Sequence, residues 1–99
     1  MLWRQGDIYI TTISKIPKRA RRRPNVVLAE GEVTGHTHRV EDPTKACLYS
    51  DGNSLFLEVE AESATVVHEE HGPITLPRGV YRVWRQREYS PEAIRIVRD

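Results

Sequence analysis

Ala46-Cys47-Leu48-Tyr49-Ser50-Asp51-Gly52-Asn53-Ser54-Leu55-Phe56-Leu57-Glu58-Val59 is the stretch whose reading decides the fold. Two apolar runs, 46–49 and 54–59, flank Ser50-Asp51-Gly52-Asn53, and the Asp-Gly pair between such runs predicts a β-hairpin. Outward from it, period-two alternation and β-branched residues dominate, and no window carries a sustained helical stripe. Residues 7–13 (Asp-Ile-Tyr-Ile-Thr-Thr-Ile) alternate, with Ile8 and Ile10 on one face and Tyr9, Thr11 and Ile13 on the other. Residues 25–29 and 33–40 read as strands parted by a Glu30-Gly31-Glu32 turn. Residues 63–69 and 79–86 complete the set, with 74–76 as a short strand between them. The tail from Ser90 opens with one helical turn, Ser90 capping and Pro91 first, then finishes as an edge strand. Seven or eight short strands with turns between them predict an all-β fold, a small antiparallel barrel or sandwich. Trp3, Phe56, Tyr81 and Trp84 are its expected core or interface aromatics.

The 99 residues suit a single domain spanning 1–99. A chain of this size buries only about two-thirds of its unfolded surface, so a partner subunit or a metal is expected to help complete it, and a homo-oligomer follows as the expectation. No apolar stretch approaches the roughly 20 residues of a membrane helix, and the first residues have no signal-peptide layout, so the expected setting is cytoplasmic, with no membrane partner. The single cysteine, Cys47, excludes an internal disulfide and a four-cysteine zinc site, and reads as a buried, inert thiol.

The net charge of +1 hides segregation: residues 1–24 sum to +6, residues 25–77 to −8 and residues 78–99 to +3. Local fields therefore decide what each surface attracts. The densest block, residues 15–24 with prolines at 17 and 24, carries Lys15, Lys18, Arg19, Arg21, Arg22 and Arg23. The prolines disfavour one continuous helix, and an exposed loop or arm at 15–24 is expected. Clustered cations of this kind either contact phosphate, as in RNA, or neutralise the chain's own acidic middle. In Arg85-Gln86-Arg87-Glu88-Tyr89, alternate residues share a face; they line an anion groove or cross-pair with Glu58 and Glu60.

All four histidines fall in two clusters, Gly35-His36-Thr37-His38-Arg39 and His68-Glu69-Glu70-His71-Gly72. On a strand His36 and His38 point to the same side, close enough to share one ion. If the 63–69 strand lies beside them, His68 with His71 or Glu70 supplies the remaining ligands. His68 and His71 converge only where the strand ends or bends, which Gly72-Pro73 permits. The helical zinc-protease signature is rejected, because the spacing is three and the preceding residues are strand-like. Neutral imidazoles suit zinc, iron, nickel or copper, with no choice among them and no substrate indicated. The competing chemistry uses His36, His38, His68 and His71 as metal-free general acid and base on RNA, with Arg78, Arg82 and the basic arm holding phosphate.

His36-Thr37-His38 on a strand, followed about forty residues later by Ile74-Thr75-Leu76-Pro77-Arg78-Gly79-Val80-Tyr81-Arg82, resembles the two signature regions of small cupins. In that family a His-x-His pair and a downstream glutamate bind metal, and a Pro-x-Gly turn leads into a strand bearing the last histidine. The resemblance implies a jelly-roll barrel with its site inside. Glu41 lies one or two residues early for that glutamate and Arg82 stands where the last histidine is expected, so His68 and His71 take over as ligands. The combination of both histidine clusters with Gln86-Arg87-Glu88-Tyr89 is otherwise similar to short uncharacterised prokaryotic proteins.

Overall fold

A computed structural model describes residues 1–31 and 35–86, and every regular element in them is a strand. The strands are β1 (Leu2–Gln5), β2 (Ile8–Thr12), β3 (Arg21–Arg22), β4 (Val27–Glu30), β5 (Thr37–Val40), β6 (Ala46–Asp51), β7 (Ser54–Val67) and β8 (Ile74–Arg85). All pairings are antiparallel, in one sheet of order β1-β2-β8-β7-β5-β4, with β6 on β7 and β3 on β6. The sheet does not close, and the all-β expectation holds with eight strands. No helix among the described residues is long and apolar enough to cross a membrane.

The hairpin that anchors the sequence reading forms between β6 and β7, with Asp51 paired to Ser54. Its two central residues are Gly52 and Asn53, and Gly52 takes φ 60°. That is the glycine-first arrangement of a tight hairpin turn, one residue later than the Asp-Gly pair alone suggests. Three other expectations are corrected. Residues 54–59 and 63–69 are not two strands: β7 runs unbroken through fourteen residues. Likewise 74–76 and 79–86 merge into β8, and Pro77-Arg78-Gly79 lies inside that strand rather than in a turn. Along this pair Val59 faces Gly79 and Ser63 faces Pro77, so β7 carries two surplus residues at 60–62 and the pair bends there. The Arg78 side chain braces the bend, its Nε donating to the carbonyls of Glu60 (3.1 Å) and Ala61 (3.3 Å).

β1 was not expected from the sequence, and neither was β3. Part of the basic arm is therefore not a free loop: Arg21 pairs with Ser50 and Arg22 with Tyr49 along the outer edge of β6. The third turn, expected at 30–32, and the start of the strand expected from residue 33 fall partly on residues 32–34, which lie outside the described residues. So do the tail from Ser90, and Arg87 and Tyr89 of the alternating row. Arg85, the described member of that row, pairs with Asp7 (3.1 Å) rather than with Glu58 or Glu60.

The bend and the long strands let one sheet wrap a single core, in which Ile8, Ile10, Leu28, Val40, Leu48, Leu57, Val66, Leu76 and Val83 pack together. Each such side chain withdrawn from water contributes about 1.5–3 kcal/mol. The aromatics join it: Trp3 meets Tyr81 edge-on at 5.6 Å, and Tyr9 stacks on Trp84 at 5.6 Å. Tyr9 is buried as well, so β2 is covered on both faces and its alternation marks two packed layers rather than core and solvent. Cys47 is buried, and burial together with the Glu60 carboxylate beside it pushes its thiol upward, which fits an inert role.

Candidate metal centre

One end of the roll gathers the β1–β2 turn, the end of β4, the start of β5 and the residues following β7. The cause is register. Arg39 pairs with Val67 and Val40 with Val66. Carried forward, the same register sets His38 opposite His68, Thr37 opposite Glu69 and His36 opposite Glu70. Directly opposed residues of antiparallel strands share a face, so His36, His38, His68 and Glu70 turn inward while Thr37 and Arg39 turn away, and Glu69, which starts from their face, reaches back toward His36 and His68.

The contacts agree with that pairing. The His38 and His68 rings lie 4.2 Å apart, Thr37 N donates to Glu69 Oε1 at 3.0 Å, and His36 Nδ1 sits 3.7 Å from Glu70 Oε2. After Val67 the chain bends, and His71 swings back to within 4.7 Å of the His68 ring and 6.0 Å of His38. His36 lies 5.7 Å from His68. All four imidazoles, with Asp7, Gly31 and Glu70, line one cavity of about 230 Å³.

The walls are thin where rings approach. A Cβ on Gly31 would stand 3.0 Å from His68 Nε2, and one on Gly6 would stand 2.7 Å from His71 Nε2. Gly6 also holds φ 61°, a conformation that disfavours any larger residue.

His38 is the most constrained of the four. It is 1% exposed, and with Gln5 it makes up the buried polar pair of the described core. Gln5 Nε2 donates to the carbonyls of Val66 (3.0 Å) and Gly72 (2.9 Å), which fixes the amide so that Oε1 faces His38 Nδ1 at 2.9 Å. An acceptor there requires the ring proton on Nδ1. His38 Nε2 is then a bare lone pair in the cavity, 3.6 Å from the Asp7 carboxylate. Burial, reinforced by the neighbouring His68, pushes His38 down from 6.5 to about 4, so the ring is neutral at pH 7. The nearest cation, Arg85, is engaged with Asp7 and the Glu30 carbonyl.

His68 is set differently. Its Nδ1 accepts the Glu70 amide at 3.0 Å, which leaves the ring proton on Nε2. Glu69 is anchored by the Thr37 amide, the chief cause that holds its carboxyl down to about 2, and by Arg39 Nη1 at 2.8 Å. His36, His68 and Glu69 each offer a ligand atom, all within 4.8 Å of one another, and this group could hold a metal ion.

Of the residues named from the sequence, the structure thus brings His36, His38, His68, His71 and Glu70 to one cavity. It does not bring the basic ones there. None of Lys15, Lys18, Arg19, Arg21, Arg22, Arg23, Arg78 and Arg82 lines it. Arg19 pairs with Asp51, Arg78 braces the bend, and Arg82 lies over Trp84. The metal-free RNA-cleavage reading placed these cations beside the histidines, and their side chains are not among the lining of this cavity. Gln5, Asp7, Gly6 and Gly31 escaped the sequence reading, because each acts on a partner some thirty to seventy positions away and none sits in a recognisable motif.

Residues 4–86 match the family described as a domain of unknown function (DUF8820), which is most of the chain, and the chain belongs to that family. The match is not to a cupin family, and the likeness to cupins extends to an all-β architecture. No curated protein and no solved structure matches the chain.

Proposed function

We propose that this DUF8820 chain binds one divalent transition-metal ion in the histidine cavity. His68 is the central ligand, His36 and His38 stand beside it, and His71 or Glu70 takes the fourth place. The observation that carries this reading is the lone pair of His38 Nε2, bared by Gln5 and facing a carboxylate 3.6 Å away without a proton donor between them. His38 is buried and Asp7 half-buried, and two acceptors facing each other there are stabilised by a cation. Imidazoles sharing a tetrahedral ion at about 2.0–2.1 Å put their ring centroids about 5 Å apart. The spacings from His68, 4.2 to 5.7 Å, bracket that value.

The donor set is imidazole and carboxylate, which suits zinc, nickel, copper or iron rather than calcium or magnesium. Gln5 holding the far nitrogen of His38 is the outer support that imidazole ligands generally have. Binding requires one rearrangement: His68 releases the Glu70 amide and moves its ring proton to Nδ1, or ligates through Nδ1 itself. Against metal-free acid–base chemistry stands the neutrality of His38, which has no proton on Nε2 to give at pH 7.

The test is metal content and affinity. Chain stripped with a chelator and dialysed against zinc or cobalt should take up one ion per chain, and cobalt should give the intense visible bands of a four-coordinate site. His68→Ala and the His36→Ala/His38→Ala double variant should lower affinity by at least about a hundredfold. Equal uptake by wild type and both variants would sink the proposal.

A further inference from the structure

The basic arm, unused by the metal centre, is the strongest charged surface left. It is a built surface. Ala20 N donates to Pro17 O at 3.0 Å, Arg21 and Arg22 pair with β6, and Arg23 N donates to Leu48 O at 2.7 Å. All six of its Lys and Arg residues are exposed. Among the described residues, only Arg19 of the six forms an ion pair, with Asp51 at 2.7 Å. Among the described residues, the acidic middle of the chain thus pairs with one of the six cations.

Where the sequence offers no aromatic inside the arm, the fold supplies one beside it. Between the arm and the sheet lies a hollow of about 420 Å³, with Lys15 and Lys18 among its lining and Tyr49 and Glu58 from the sheet. The Tyr49 hydroxyl donates to Glu58 Oε1 at 3.3 Å, which steadies the ring, and Tyr49 is half-buried. Cations at a rim with an aromatic and a carboxylate within are the parts that hold a phosphate outside and a base inside.

We infer that this edge binds single-stranded nucleic acid, its phosphates against Lys15, Lys18 and Arg22 and one base stacked on Tyr49 in the hollow. Arg22 stands directly opposite Tyr49 and so shares its face, and Lys15 and Lys18 line the hollow itself. A duplex keeps its bases stacked away from such a hollow. An anionic membrane fits less well, because lasting attachment needs apolar insertion beside the charge, and among the described residues the exposed large apolar ones are Met1 and Leu2, on another edge.

Fluorescence anisotropy with a labelled mixed-sequence dodecamer, as single-stranded RNA, as single-stranded DNA and as duplex, tests this between 50 and 300 mM KCl. Binding of either single strand is expected, with log affinity falling against log salt at a slope of roughly −2, the value for three phosphates. Preference between RNA and DNA identifies which of the two is the partner. Lys18→Ser/Arg22→Ser should weaken binding about tenfold or more at 100 mM salt and flatten the slope. Tyr49→Leu should weaken it at least about fivefold, while Tyr49→Phe, which keeps the ring, should retain it. Failure of both single strands to bind at 50 mM salt, a duplex bound more tightly, or full affinity in Tyr49→Leu would overturn the inference. So would binding to phosphatidylserine vesicles by a chain that binds no oligonucleotide.

Discussion

Gln5 makes three hydrogen bonds with one amide, and each lands on the histidine cavity or its flanks. Its two donated bonds hold Val66 O and Gly72 O, the carbonyls on either side of the segment bearing His68 and His71. Its accepted bond sets the tautomer of His38. Gln5→Leu leaves the buried Val66 carbonyl and the buried His38 N–H without this partner, each worth about 1–3 kcal/mol, and frees the part-buried Gly72 carbonyl as well. We expect a loss of about 3 kcal/mol in urea unfolding and a tenfold or larger drop in zinc affinity. Gln5→Glu removes both donated bonds but keeps the acceptor for His38, and should preserve zinc binding better than Gln5→Leu when both are measured by calorimetric titration. Gly6→Ala forces a Cβ against the His71 ring at a positive φ. It should cost about 1 kcal/mol or more in the same unfolding measurement. At this scale the histidines were legible because clustering and alternation are local properties of the chain. Gln5 was not, since nothing in Leu2-Trp3-Arg4-Gln5 announces partners 33 to 67 positions away.

Among the elements, β7 and β8 decide the shape. Glu60-Ala61-Glu62 interrupts the alternation and Pro77-Arg78-Gly79 looks like a turn, so the sequence reads four strands where there are two. The interruptions face each other across the pair, which turns two apparent breaks into one shared bend. Only knowledge of the pairing reveals that. The hairpin at Gly52-Asn53 was legible because its register depends on adjacent residues alone. Gly52 has φ 60° with open space around it, so Gly52→Ala is strained by conformation rather than by a clash. About 1 kcal/mol of destabilisation is expected, read as a lower urea midpoint with unchanged slope. Arg78→Ala, which unbraces the bend, should cost about 0.5–1.5 kcal/mol and leave zinc stoichiometry intact.

For the molecule as a whole, pH and the proposed metal bear on the same end of the roll. His38 is lowered from 6.5 to about 4 by burial, so the unfolded chain binds its proton first as pH falls. Its contribution to stability is complete above about pH 6.5 and is lost as pH drops toward 4, with a slope of up to about 1.4 kcal/mol per pH unit. Thermal melts of the metal-free chain between pH 7.5 and 4 should show this decline, and His38→Ala should flatten it. Zinc at a hundred times its dissociation constant should stabilise the folded chain by about 2.7 kcal/mol. For a domain of this size that raises the melting temperature by on the order of 10–20 °C. A chain whose melting temperature is indifferent to zinc at every concentration would count against the metal centre.

The corner where Asp7, Gly31, His38 and His68 meet draws on both ends and the middle of the described polypeptide. No contiguous fragment owns it: a cut anywhere between residues 7 and 68 divides its donors between two pieces. Occupancy of that corner would therefore report assembly of the entire β-roll, and two separately made halves would recover it only by finding each other.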